Sequence, residues 1–142
     1  MKLEGVFLYY DKENGNGRIY PKEISEDIVK QFKETKSNMF GELGQTAITV
    51  PSLSPSHVVE DIWVDEEEKA LKGSIRILEG APNGVMLKDM INDFGIENFS
   101  VASRGTGTVN ENKEVEDYTL ISFDIIPMDK SSTKGPIKIT NL

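Results

Sequence analysis

The run Leu3 to Tyr10 is apolar and aromatic and predicts a buried strand. The Asn- and Gly-rich stretch Asp11 to Arg18 breaks it with a loop or hairpin turn. Pro21 then opens a helix, since proline suits the first helical position and Glu23 and Glu26 favour its positive end. Ile24, Ile28 and Phe32 recur every four residues as one apolar stripe, and the helix ends by Thr35 to Asn38. Phe40 to Val50 predicts a short strand, a Gly-containing turn and a second short strand, followed by a loop over Pro51 to Ser56. Val58 to Val64 and Leu71 to Ile77 form the clearest hairpin: Leu71, Gly73, Ile75 and Ile77 alternate with Lys72, Ser74 and Arg76, one face buried and one wet. After Pro82-Asn83-Gly84 a second helix carries Met86, Leu87, Met90, Ile91 and Phe94 as its apolar face, with Gly95 as a left-handed cap. Strands are predicted over Phe99–Ala102, Thr106–Val109 and Val115–Ile126, with a turn at Asn110-Glu111-Asn112, and a last short strand at Ile137–Ile139 after a polar stretch.

Many short strands with two helices imply a β-rich α+β fold: a small closed or partly open β-barrel with two or more flanking helices. With no internal repeat and no long linker, residues 1–142 read as a single domain, 128–142 being a C-terminal tail with a short strand. Composition narrows the chemistry. The absence of cysteine excludes disulfides, thiolate metal sites and a cysteine nucleophile, and a single histidine excludes a His-rich zinc site, so neither metal nor cofactor is expected. A net charge of −8 argues against nucleic acid as a partner, because that affinity rests on neutralising phosphates. The acidic run Asp65 to Glu68 lies between the two hairpin strands and reads as a solvated turn. No apolar run reaches membrane-spanning length, and Met1 to Tyr10 has only Lys2 as a basic residue and no cleavage pattern, so a cytosolic product without membrane contact is expected.

Four segments in order carry a resemblance. They are Glu4-Gly5-Val6-Phe7 with Asn16-Gly17-Arg18-Ile19-Tyr20-Pro21-Lys22; Gly41-Glu42-Leu43-Gly44-Gln45; Val58 to Trp63 with Leu71 to Leu78; and Ser100-Val101-Ala102-Ser103-Arg104-Gly105-Thr106-Gly107. With Phe123-Asp124-Ile125-Ile126 they span most of the chain. The set resembles the prohead (capsid-maturation) proteases of tailed phages. That resemblance implies a barrel like herpesvirus assemblin, a serine endopeptidase mechanism, and work inside an immature capsid on scaffold and shell proteins. It also implies phage capsid or scaffold proteins and further copies of the chain as partners. The expected place is the host cytoplasm during assembly, and in one reading the virion head.

Two positions depart from the pattern the resemblance supplies. The family's general-base histidine falls on Gln45, and its nucleophilic serine falls on Ala102; Asp124 matches the acidic position that would orient the base. A methyl group cannot attack a carbonyl, and an amide has no useful basicity near neutral pH. Gly44 and Thr46 beside Gln45 depart from the family's Asn and Pro as well, which is the mark of natural drift and not of one engineered change. The sequence is therefore read as an inactive homologue with a structural or assembly role, the alternative being a capsid-processing endopeptidase, natural or disabled by substitution. A third reading is a regulatory partner that shields the peptide segments an active protease cuts.

Rescue of the chemistry would fall to Ser103 as nucleophile or His57 as base. Adjacent strand residues point to opposite faces, so Ser103 is expected to face away from the Ala102 side and to serve packing or hydrogen bonding. His57 sits at a loop-to-strand junction, where a partly exposed imidazole needs no function. Arg104-Gly105-Thr106-Gly107 offers either an anion nest or, more simply, glycines for a tight turn or bulge. Trp63 is expected in the core or a subunit contact.

Overall fold

The structure, a computed structural model, describes residues 1–35, 38–44, 54–128 and 134–141. The chain runs β1 (Lys2–Tyr9), α1 (Lys22–Glu34), β2 (Met39–Gly41), β3 (His57–Asp65), β4 (Ala70–Ile77), α2 (Pro82–Phe94), a 3₁₀ turn (Ile96–Asn98), β5 (Phe99–Val109), β6 (Val115–Pro127) and β7 (Ile137–Asn141). Five strands form one antiparallel sheet in the order β2-β3-β4-β1-β7, and β5 pairs with β6 in a long separate ribbon.

Between the two sheets lies one apolar core. Leu3 and Phe7 of β1, Ile62 of β3, Leu71 and Ile75 of β4, and Val101, Phe123 and Ile125 of the ribbon are all buried in it. The Phe7 and Phe123 rings meet at 4.8 Å between centroids, tying the first strand to the sixth. Helix α1 closes one side through Ile28, which is wholly buried, with Ile24 and Phe32 partly so, as their four-residue spacing requires.

In α2 only part of the expected apolar face turns inward. Leu87 and Ile91 are buried, and Gly84 lets the helix approach so closely that a β-carbon there would run into the Leu78 carbonyl. Met86 and Phe94 instead face solvent, 52% and 63% exposed, because 86, 90 and 94 form a second row beside the buried one. Gly95 has φ 93° and ψ 143°, a positive-φ cap outside the left-handed helical region expected for it; its N–H still bonds the Ile91 carbonyl.

Other expectations are corrected in the ribbon. Phe99–Ala102 and Thr106–Val109 belong to one unbroken strand, because the residues between them stay extended and paired, and the bulges opposite Arg104/Gly105 and Thr106/Thr108 place their extra residues on β6. The antiparallel β-rich α+β class is as expected, but no closed barrel is found among the described residues. The sheets are joined on one side by a short parallel contact, Leu43 with Ile125, where Gly44 N–H donates to Ile125 O (2.7 Å) and Ile125 N–H to Glu42 O (3.0 Å). The second strand expected within Phe40 to Val50 falls at 45–50, outside the described residues.

Candidate functional site

Residues 100, 102 and 104 of β5 share one face with 122, 124 and 126 of β6, the face opposite to Val101, Phe123 and Ile125 in the core. In the register of the ribbon Ala102 stands directly opposite Asp124, and both are buried. Two of the expected site residues are thus brought together. Gln45, the third, lies outside the described residues.

Asp124 is a buried carboxylate whose two oxygens are both engaged. Arg104 grips it as a fork, Nε to Oδ2 at 2.9 Å and an Nη to Oδ1 at 3.2 Å, and the backbone N–H of Glu42 donates to Oδ1 at 2.9 Å. The Arg104 side chain is itself buried. Charge-assisted, bidentate bonds of this kind are short and directional. They make Asp124 a joint between β5, β6 and the segment after β2. The Arg104 side of the Arg-Gly-Thr-Gly stretch is therefore committed to an internal ion pair.

Around this pair the face is polar but closed. Ser122 Oγ donates to the Phe40 carbonyl at 2.5 Å. Ser100, two residues from Ala102 on the same face, has a buried hydroxyl with no hydrogen-bond partner. Ser103 is on the other face, in register with Phe123, and its hydroxyl bonds Tyr118. Burial pushes the Tyr118 phenol up to about 12, the Ser103 bond working against that shift. The Tyr118 ring also takes an edge-on contact from Tyr20, 5.7 Å between centroids.

His57 is wholly buried, contrary to the partly exposed position its sequence context suggested. Its Nδ1 lies 2.7 Å from Ser56 Oγ and its Nε2 2.7 Å from the Phe123 carbonyl oxygen. Burial lowers its pKa to about 4, opposed by the bond to Phe123 and helped by the nearby Arg104 charge. The expectation failed because the space for the ring comes from Gly41, sixteen positions earlier, where a β-carbon would collide with the imidazole. With both ring nitrogens occupied, His57 has no free base position. Trp63 is half-buried opposite Lys72 in the central hairpin, and Glu66, Glu67 and Glu68 are exposed on their turn, with Lys72 bonding Asp65 and Glu68.

A sequence reading had no signal for the Arg104–Asp124 pair or the Ser56–His57 pair beyond the residue types themselves. No helix among the described residues is long and apolar enough to cross a membrane.

The family pattern of the prohead core protein serine proteases matches residues 1–126 of this two-sheet fold, and the chain belongs to that family. Among individual proteins, the prohead core protein protease of Enterobacteria phage T4 is 29% identical over 117 residues, covering 79% of this chain and 53% of that protein. The chain thus spans about half the length of that curated relative. The solved structure of the bacteriophage T4 capsid assembly protease has the same fold, with a TM-score of 0.79 at 29% identity over 88% of this chain and 80% of that one.

Proposed function

We propose that this chain is a catalytically inactive prohead-protease homologue that serves as a structural or assembly protein of a phage head: scaffold-associated, a minor capsid component or a shell decoration. The observation that carries this reading is the Ala102 methyl on the buried face opposite Asp124, at the position where the family resemblance calls for the nucleophile. Gln45 at the base position removes the second reactive group, and loss of either alone costs about 10⁶ in turnover in a worked serine protease. The Asp124 carboxylate adds to this, since Arg104 and the Glu42 N–H already hold both of its oxygens within the fold. The fold then persists for its surfaces.

Its partners in this reading are capsid or scaffold proteins of the prohead and other copies of the chain, met in the host cytoplasm during assembly and, for a decoration role, in the virion head. Nucleic acid and membrane are not among them; an acidic chain is repelled by packaged genome. The outer row of α2, Met86 and Phe94 with Met90 at its edge, is the surface best suited to such contacts. The two sheets, joined at Leu43–Ile125, are read as a partly open barrel.

Mass spectrometry of purified proheads and mature particles tests the assembly role. The chain should be present at a defined copy number, and Met86→Glu should release it without unfolding it. A monomer missing from every head intermediate would refute the role. The rival reading, a working or disabled endopeptidase, draws on family membership.

A further inference from the structure

His57 opens β3 and Ser56 directly precedes it, and both are wholly buried outside the apolar core. The Phe123 carbonyl can only accept, so the hydrogen of the neutral ring sits on Nε2; Nδ1 is then the acceptor and the Ser56 hydroxyl the donor. Each nitrogen therefore has one partner and one role.

The ring reaches Phe123 across the edge of β6 that faces away from β5. Along that edge the partners form a patchwork. The Ile19 carbonyl accepts from Val115 N–H at 2.8 Å, and the Gln31 side-chain amide serves Tyr118 O (2.7 Å) and Leu120 N–H (2.9 Å). His57 serves Phe123 O, and Glu42 and Gly44 serve Ile125. Side chains thus stand in for backbone at two places where no strand among the described residues pairs with this edge. At Phe123 the stand-in sits one residue before Asp124, and Gly41, whose α-carbon lies against the ring, accepts at its carbonyl from Ser56 N–H at 2.9 Å.

We propose that His57 is a positioning residue: its neutral imidazole supplies to the Phe123 carbonyl of β6 the N–H that a neighbouring strand would give, and so fastens the Gly41–Gly44 segment, and with it the Glu42 N–H on Asp124, to the ribbon. The geometry requires Gly41, the Ser56 hydroxyl and a single ring tautomer together. This holds whether or not the chain has peptidase activity, so it stands apart from the reading of the previous subsection.

The test uses the whole chain. His57→Gln keeps an N–H donor near the Nε2 position, whereas His57→Leu only fills space. Amide hydrogen exchange should rise at least tenfold at Glu42, Gly44 and Ile125 in His57→Leu, relative to Val6 in the central sheet. In His57→Gln it should return most of the way to wild type. An equal rise at all sites, no rise, or no recovery in His57→Gln would overturn the proposal. Should His57→Leu fail to fold, the imidazole nitrogen NMR spectrum of the wild type decides. A single tautomer with hydrogen on Nε2, shielded from exchange at pH 7, supports the proposal; an Nδ1–H tautomer or an averaging ring contradicts it.

Discussion

The face around Ala102 and the outer row of α2 invert the usual rule of burial in opposite senses. On the first, an acid, a guanidinium, an imidazole and three serines are buried, and apart from the Ser100 hydroxyl their polar atoms are bonded inside the protein. On the second, Met86 and Phe94 are 52% and 63% exposed. Burying an ion pair carries a desolvation penalty of about several kcal/mol per ion unless geometry is good, so such a pair is kept for the arrangement it enforces. Exposed apolar side chains add little to stability within the domain. The difference teaches that polar groups can serve as fold-internal joints on a closed face, while an apolar row on a helix stays open to solvent.

The sharpest way to break this contrast is at the ion pair. Arg104→Met leaves Asp124 buried without its cation and should destabilise the fold by about 3–5 kcal/mol in urea titration. A cost under about 1 kcal/mol would place the pair among solvated, dispensable ones. Acid comes next. His57 has its pKa depressed from 6.5 to about 4, so between those values the unfolded chain binds a proton that the folded chain refuses. Stability from this residue is complete above pH 6.5 and is lost as pH falls toward 4, about 3 kcal/mol in all at roughly 1.4 kcal/mol per unit. The difference between wild type and His57→Gln across that window should show this slope; parallel curves would mean that the ring is not buried neutral.

Smaller effects sharpen the comparison. Ala102→Ser adds a hydroxyl to a closed face beside the unpartnered Ser100, and should cost about 1 kcal/mol as a poorly satisfied buried polar group. On the other surface, Met86→Glu should move folding stability by no more than about 0.5 kcal/mol, the ordinary range for an exposed site, while reducing association with head proteins or with other copies of the chain. A large folding penalty there would show the row to be structural.

Local pattern made much of the fold legible. The alternation from Leu71 to Ile77 found its hairpin, and Pro82 and the Leu87–Ile91 spacing found α2. What pattern could not give was anything decided by register or by distant partners. Near the turn Val109 pairs with Val115, a register that would set Ala102 opposite Ser122; two bulges advance β6 by two residues and bring Asp124 there instead. The same bulges hid the continuity of β5, since glycines read as a turn serve equally well within a strand. Arg104 and His57 were misjudged for one reason: their partners, Asp124 and Phe123, are far along the chain, and the cavity for the imidazole depends on Gly41.

Absence of peptidase activity is the central claim of the proposed function. Purified chain incubated with capsid and scaffold polypeptides of a prohead, and separately with a serine-directed phosphonate, gives the direct measurement, read by intact-mass spectrometry. The account predicts uncut polypeptides and unlabelled protein, with little activity even in the double variant Gln45→His, Ala102→Ser, because the carboxylate of Asp124 is already held by Arg104 and Glu42. Stoichiometric labelling of the wild type that disappears in Ser103→Ala, or strong proteolysis by the double variant, would contradict it.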